Sequence, residues 1–412
     1  MRISRPKLQI NHWKNQRHQI RKTGIFPHFS NFKLRWAIAG RSSKKLAQLK
    51  SHLVKMNSSL KDLPVLNVDS FKLPQVWDMC ARTKVVVSMV GPFAMYGNAV
   101  VHSCVKNGTD YCDITGEVNW VRYNFHKYQK EARKTGARLV FSAGCDSVPW
   151  DLATFLLNVE TKKDADDALV RVVHANDAKL TFSGGTLSTI LNMVDGKFTC
   201  PIRPRPKFDP LVGDFTGEDL GKSKSKLLIQ NQMGLSRVGE SDSRWKMLSV
   251  FAGGNSRIVS ISQSQLNYSS KLVYTEYNVE NSLLNAMNNF LGLILLVTCV
   301  LLKPLRNLLL KYSLLPNPGQ GPSLEQIKSH YFVVESTGYT QKGRKIQLHT
   351  KFNEDIGYKD TARMLVESGL CFVFNEEGVS QKGGLFSPAA CLGLELKNRL
   401  EKTGTEFKLL AS

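Results

Sequence analysis

Regular alternation of apolar runs and amphipathic stretches begins near residue 34. Leu34–Ala39 is a short apolar run that stops at Gly40-Arg41-Ser42, the pattern of a buried strand and turn. Ser43–Met56 then places Leu46, Leu49 and Leu53 on one helical face. Pro64–Val68 predicts a second strand, Leu73–Ala81 a short helix, and Val85–Met89 a β-branched strand before the turn Gly91-Pro92. A helix over Asn98–Asn107 should close at Gly108, because glycine tolerates the left-handed residue that ends many helices. A strand at Asp110–Ile114, a helix at Trp120–Thr135 ending before Gly136, and a strand at Arg138–Phe141 follow. Strands that alternate with helices predict a parallel sheet with crossover helices.

After Pro149 the rhythm changes. Ala168–His174, Ile258–Gln263 and Leu272–Val279 read as strands, and Tyr331–Thr337 with Lys345–Thr350 as an antiparallel pair around Lys342-Gly343. Thr361–Glu367 and Pro388–Glu401 read as helices. Residues 200–246, rich in Pro, Gly, Ser and charge, read as a long, loosely structured connection. This half of the chain is therefore expected to be α+β, and no internal repeat is present.

One segment stands apart. Asn281–Leu302 runs for 22 residues without a charge, and Phe290–Leu302 (FLGLILLVTCVLL) is nearly all apolar. A spanning helix needs ~20 mostly apolar residues, whereas shorter runs are more often core or interfacial helices. Asn285, Asn288 and Asn289 weaken the spanning reading. Insertion into one face of a membrane or lipid monolayer, burial in a core or an oligomer interface, and a true span are the alternatives. In the first case Pro304 makes a hinge, and Lys303, Arg306 and Lys311 reach lipid headgroups.

Charge adds a further asymmetry. The formal net charge is +22, and residues 1–50 hold 13 Lys and Arg with no acid; the first acid is Asp62. Residues 1–33 thus read as a basic arm, as a transit peptide, to which residues 1–35 bear a loose likeness, or as an alternative start, and they lack the apolar core of a secretory signal. No nucleic-acid-binding motif or aromatic–basic interleaving occurs, so a nucleic-acid partner is not expected. The eight cysteines form no CxxC and the nine histidines no HExxH, so packed, reduced thiols and no metal site are expected. No GxSxG or Walker A sequence is present, which disfavours hydrolase and P-loop chemistry.

Ligands of open parallel sheets bind at the carboxyl ends of the strands. Three turns qualify. At Gly40-Arg41-Ser42, with Lys44 and Lys45 behind, there is no acid. In a dinucleotide-binding fold an acid at this place bonds the ribose 2′-hydroxyl, while Arg accommodates a 2′-phosphate, so Arg41, Ser42 and Lys45 favour NADP. A solvated basic turn is the alternative. At Val90-Gly91-Pro92-Phe93, Gly91 permits close backbone approach and Pro92 fixes the turn. At Cys112-Asp113-Ile114-Thr115-Gly116-Glu117 and Gly144-Cys145-Asp146-Ser147, the carboxylates can hold a ribose, act as acid or base, or cap the next helix.

At this point the ordered set resembles a family. Trp36–Ser42, Val90–Phe93, Tyr96-Gly97, Tyr111–Glu117 and Asp146–Leu152 are followed by Ser183-Gly184-Gly185-Thr186, Pro318–Ser323 and Gly383–Ala390. Together they resemble the saccharopine dehydrogenase-like oxidoreductases, a group that includes bacterial trans-acting enoyl reductases of glycolipid synthesis. The resemblance covers roughly residues 34–409. It implies a Rossmann NAD(P)-binding domain over 34–150, an α+β second domain over 151–387, and a C-terminal helix in 388–412 that packs back on the first domain. It implies NADP as cofactor, held near Arg41, Ser42, Lys45, Gly91, Pro92, Phe93 and Asp113, and a lipidic or other small-molecule substrate. It also implies an intracellular place on lipid droplets or membranes, often with a mitochondrial assignment; a homodimer is compatible with it. Tyr96, Asp113 and Asp146 are candidates for a general acid by position only, so the catalytic residue stays open.

The departure from the family is at the start. The family opens with a strand and a GATGxTG-type loop that cradles the pyrophosphate, which should precede residue 34. Residues 1–33 contain one glycine, Gly24, and no apolar strand followed by a glycine-rich turn. Two expectations follow: an NADP-linked reductase of an enoyl or carbonyl group on a lipidic substrate, or a catalytically silent lipid-surface protein that has lost cofactor binding.

Overall fold

A computed structural model describes residues 34–145, 147–179, 191, 195, 226–230, 234–240, 242–312, 330–353 and 355–410. The chain divides into two compact units, Met1–Asn67 and Val68–Ser412. The motif segments 183–186 and 318–323, Asp146 and the basic arm lie outside the described residues.

In the first unit, strand β1 (Ile38–Gly40) pairs in parallel with β2 (Val65–Asn67). Helix α1 (Ser43–Met56) joins them, with Leu46 buried on its inner face. The helix starts where Ser42 turns away from helical geometry and its Oγ accepts the Lys45 N–H at 3.3 Å, satisfying one of the orphan donors of the first turn.

The second unit holds two sheets. The smaller is four parallel strands in the order β13 (Gly384–Phe386), β5 (Arg138–Val140), β4 (Asp110–Asp113), β3 (Val85–Ser88). Helices α2 (Leu73–Ala81), α4 (Asn98–Asn107) and α5 (Val118–Thr135) cover one face, meeting Tyr111 and Leu139. Helices α6 (Val148–Thr161), α10 (Thr361–Phe374) and α11 (Pro388–Lys402) cover the other, meeting Cys112 and Val140. Parallel strands covered on both faces are buried throughout. This is why even Asp110 and Arg138 are enclosed: the Arg138 guanidinium and backbone N–H both donate to the Asp110 carboxylate, at 3.0 Å each to Oδ1. Gly108 (φ +68°) and Gly136 (φ +82°) end α4 and α5, as their sequence positions predicted.

The larger sheet has the order β14 (Glu406–Leu410), β12 (Lys345–Phe352), β11 (Tyr331–Thr340), β6 (Leu169–Lys179), β10 (Lys271–Glu280), β9 (Trp245–Leu248), β8 (Ser236–Arg237). A further strand, β7 (Lys226–Ile229), pairs with the first half of β10. The predicted antiparallel pair is β11 with β12. The expected mixed α/β architecture, a parallel sheet followed by an α+β part, is the fold the chain adopts.

Two local expectations are corrected. Within the stretch read as loose connection, Lys226–Ile229 and Ser236–Arg237 form β7 and β8, and β9 starts at Trp245; residues 200–225 lie outside the described residues. Ile258–Gln263 is not a strand but part of helix α7 (Ala252–Leu266). The alternation Ile258-Val259-Ser260-Ile261-Ser262 mimics a strand. This helix, however, is buried on nearly every side from Asn255 to Ser264, and its small serines let neighbours approach closely, so packing overrides β-propensity.

One buried carboxyl ties three of these helices. Asp151 on α6 accepts a hydrogen bond from Ser262 Oγ of α7 and one from the Ala389 N–H of α11 at 2.8 Å, and Ser262 meets Ser387 Oγ at 2.5 Å. Burial pushes the Asp151 carboxyl up to about 7. In the unfolded chain it titrates near 3.9, so its contribution to stability is fully present below about pH 4 and is lost as pH rises to about 7. Asn is the isostere of the neutral acid here: its carbonyl can accept from Ala389 and its amide can donate to Ser262. Asp151→Asn should therefore gain stability relative to wild type as pH rises from 4 to 7. Denaturation curves at pH 5 and pH 8 check this, and an equal difference at both pH values would refute it.

Candidate functional site

At the carboxyl end of β1, Gly40 sits beside Leu46; a Cβ there would lie 3.5 Å from its side chain, an ordinary contact. Arg41, Lys44 and Lys45 are exposed around the start of α1, whose first turn contains no acid. Asn67, at the end of β2, donates its amide to Ser43 Oγ, which ties the two strand ends to the helix start. The result is a cationic turn at the positive end of a helix dipole, an arrangement that suits a phosphate.

In the second unit, the turn after β3 contains a cis Gly91–Pro92 bond and leads into a short helix, α3 (Phe93–Tyr96). The Phe93 and Ala94 N–H groups donate to the two carboxylate oxygens of Glu117 at 2.6 and 2.8 Å. Burial raises the Glu117 carboxyl, while these two amides pull it down. Gly97 is required by packing: a Cβ there would stand 2.6 Å from the Trp120 ring and 2.8 Å from the Phe93 carbonyl. The turn is thus locked onto the start of α5.

The ends of β4 and β5 are tied by Asp113. Its Oδ1 accepts from the Thr115 and Ser142 N–H groups, both at 3.1 Å, and its Oδ2 accepts from the Tyr111 hydroxyl at 2.8 Å. The Ser142 hydroxyl donates back to the Thr115 carbonyl at 2.6 Å from a left-handed backbone (φ +58°). Asp113 is fully buried, and burial pushes its carboxyl up to about 7 against the pull of these three donors.

The structure therefore places the expected residues in two groups. Arg41, Ser42 and Lys45 lie together on the first unit; Gly91, Pro92, Phe93 and Asp113 lie at neighbouring strand ends on the second. Asp113, expected as a cofactor ligand, is buried and accepts from three internal donors, which makes it a latch between the loops after β4 and β5. Tyr96 packs its ring edge-on to Phe71 at 5.4 Å.

Glu117, read in the sequence among the carboxylates that can hold a ribose, act as acid or base or cap the next helix, holds a turn 24 residues before it, and no local pattern marks that. One group escaped the sequence reading. His330, at the entry to β11, pairs through Nδ1 with Asp355 Oδ1, and a single histidine before a strand carries no signal of its own. The described cysteines, by contrast, are buried, and among the described residues none forms a disulfide.

Comparison with known proteins gives these strand ends a family context. Residues 25–140 match the saccharopine dehydrogenase NADP-binding domain. A Mycobacterium tuberculosis protein provisionally named a trans-acting enoyl reductase is 30% identical over 388 residues, 91% of this chain and 90% of its own. The trans-acting enoyl reductase of Mycobacterium bovis is 29% identical over 384 residues, 90% of each chain. Among solved structures, apo saccharopine dehydrogenase (L-Glu forming) from Saccharomyces cerevisiae aligns over 93% of this chain and 95% of that chain, with a TM-score of 0.49 at 10% identity. Likeness to the enoyl reductases runs through both halves of the chain and well beyond its nucleotide-binding part, and on that ground the chain belongs to the saccharopine dehydrogenase-like family of NAD(P)-linked oxidoreductases.

Proposed function

We propose that this chain is an NADP-dependent reductase of an enoyl or carbonyl group on a lipidic substrate, working at a membrane or lipid-droplet surface. The observation that carries the cofactor choice is the cationic, acid-free turn Arg41–Lys45 at a parallel-strand end. A ribose 2′-hydroxyl would want a carboxylate there, and a 2′-phosphate wants what is present. Arg41, Ser42 and Lys45 would hold that phosphate. On the second unit, the Phe93 and Ala94 amides of the turn after β3 are engaged by Glu117. NADPH, when bound, supplies a hydride; the chain's own groups orient the substrate and manage the proton.

Support for the lipid surface comes from helix α8 (Leu283–Leu301), of which 17% of the most apolar stretch is buried. Leu284, Leu291, Leu295 and Leu301 are each more than half exposed. Nineteen residues span roughly 28 Å, close to the thickness of a hydrocarbon core. The chain breaks at Leu302, and α9 (Lys303–Lys311) starts with Pro304 in its first turn, as a hinge there requires. One expectation is corrected: Arg306 does not reach outward. It is buried, and donates to Asp195 at 3.0 and 3.1 Å and to the Val300 carbonyl at 3.3 Å. Lys303 and Lys311 keep the exposed positions suited to headgroups.

Calorimetric titration of the folded chain should give saturable NADPH binding, tighter than NADH. Arg41→Ala with Lys45→Ala should weaken NADPH about tenfold or more while leaving NADH little changed, since a charge-assisted hydrogen bond contributes about 1.5–3 kcal/mol. No binding by folded protein would retire the reductase reading and leave a lipid-surface protein. In a flotation assay with phosphatidylcholine vesicles, wild type should rise with the lipid. Leu291→Asp with Leu295→Asp should stay behind, because each central acid costs about 2.5–3.5 kcal/mol of insertion. Equal flotation of both proteins would exclude α8 as the contact.

A further inference from the structure

Resting on the lipid-surface part of that reading, we propose that helix α8 lies flat in a single phospholipid leaflet and does not cross a bilayer. Two opposite stripes of the helix carry the argument. Leu284, Leu291 and Leu295, with Leu302 at the C-terminal cap, recur at helical spacing on the outer side, and each is more than half exposed. Ala286, Leu293 and Val300, spaced by seven, line the inner side; Ala286 and Val300 are buried and Leu293 is half-buried. A helix on a protein surface in water ordinarily turns a polar face outward. Here both sides are apolar, so the outer one needs a cover other than water.

The inner side decides how the helix meets lipid. It packs on β9 and β10, and both ends of the helix are held by the same unit. At the start, Ser282 Oγ accepts the Asn285 N–H at 3.1 Å, and the Asn289 side-chain amide donates to the Glu280 carboxylate at 2.6 Å. Past the end, Arg306 donates to Asp195 and to the Val300 carbonyl, which holds α9 against the last turn of α8. Asn289 lies roughly 9 Å along the helix axis from Leu283 at about 1.5 Å per residue. Standing upright in a bilayer, the helix would carry the Glu280 carboxylate into hydrocarbon, where an ionised side chain is expensive. Lying flat, it puts only its outer stripe among acyl tails and keeps Glu280, Asp195 and Arg306 on the aqueous side.

The occupant of the outer face is phospholipid and not a second copy of the chain. Leu284, Met287, Leu291 and Ile294 do follow the spacing of a coiled-coil seam, but a soluble seam is flanked by charged residues that choose its partner. No charge occurs between Asn281 and Leu302, and exposed Leu295 and Val297 widen the apolar face beyond a seam. Charge returns only where the helix ends. There Lys303 and Lys311 are exposed, as contact with headgroup phosphates requires, while Arg306 is withdrawn into its own pairs. Interfacial helices sink about 5–10 Å into the boundary between headgroups and acyl chains, a depth that one leaflet supplies. A bilayer face and a monolayer over oil therefore offer α8 the same surface.

The test places one fluorescent amino acid at Leu284, Leu291 or Leu302 of the full-length chain. Each protein is bound to phosphatidylcholine vesicles whose acyl chains carry bromine at a shallow or a deep carbon. The expected result is one quenching profile at all three positions, stronger from the shallow bromines. Wild type should also float equally with the vesicles and with triacylglycerol droplets coated by a phosphatidylcholine monolayer. Deep quenching at Leu291, with Leu284 and Leu302 at headgroup depth, would show a span and overturn the proposal while leaving the lipid-surface reading intact. Should the labelled chains not fold, the wild-type comparison decides alone, since flotation with vesicles but not with coated droplets overturns the proposal. Wild type that floats with neither would remove both the proposal and the lipid-surface reading, and a dimer in that case would give the outer face to a second copy.

Discussion

A strand covered on both faces can carry a carboxylate only if the protein itself supplies every partner. Strand β4 carries two, at its first and last residues, and both are enclosed. Asp110 is answered by the Arg138 guanidinium of the next strand. Asp113 is answered by two backbone amides and a tyrosine hydroxyl. The first fixes the amino ends of β4 and β5, and the second their carboxyl ends. Because the loops after these strands inherit that fixed spacing, Thr115 and Ser142 are held in place. The fixed geometry of these strand ends is thus a by-product of solving a burial problem in the sheet.

The same logic accounts for the motifs by which the chain resembles its family. Gly97 is present because Trp120 leaves no room for a Cβ. Asp151 and Ser387, more than two hundred residues apart in sequence, meet Ser262 in the interior and bind three helices together. Glu117 caps the turn after β3. These residues are signatures of a scaffold, and they say little about what is reduced. The proposed choice of NADP rests instead on a group with a looser local signal, the cations at Arg41–Lys45.

Local rules made much of the fold legible. The spacing of Leu46, Leu49 and Leu53 marked α1, and Gly108 and Gly136 marked two helix ends, because propensity and capping act within a few residues. The parallel sheet followed from the alternation of elements between residues 34 and 141. Helix α7 was misread because its burial comes from α6 and α11, distant in sequence, and a serine-rich buried helix has the same pattern as a strand. Of the site, the basic turn and the glycine turn were visible. The roles of Glu117 and His330 were not, because each is set by a partner about 25 residues away that only the folded chain brings near.

The cysteines carry a last consequence. Cys80 and Cys104 bring their sulfurs to 3.6 Å, and burial raises the thiols of Cys104, Cys112, Cys371 and Cys391, that of Cys371 to about 12. A thiol that is neither exposed nor ionised is chemically silent toward alkylating reagents. The folded chain thus keeps a set of dormant nucleophiles spread across both faces of the small sheet and the helices that cover it. Their rate of labelling becomes a clock for how often each region opens.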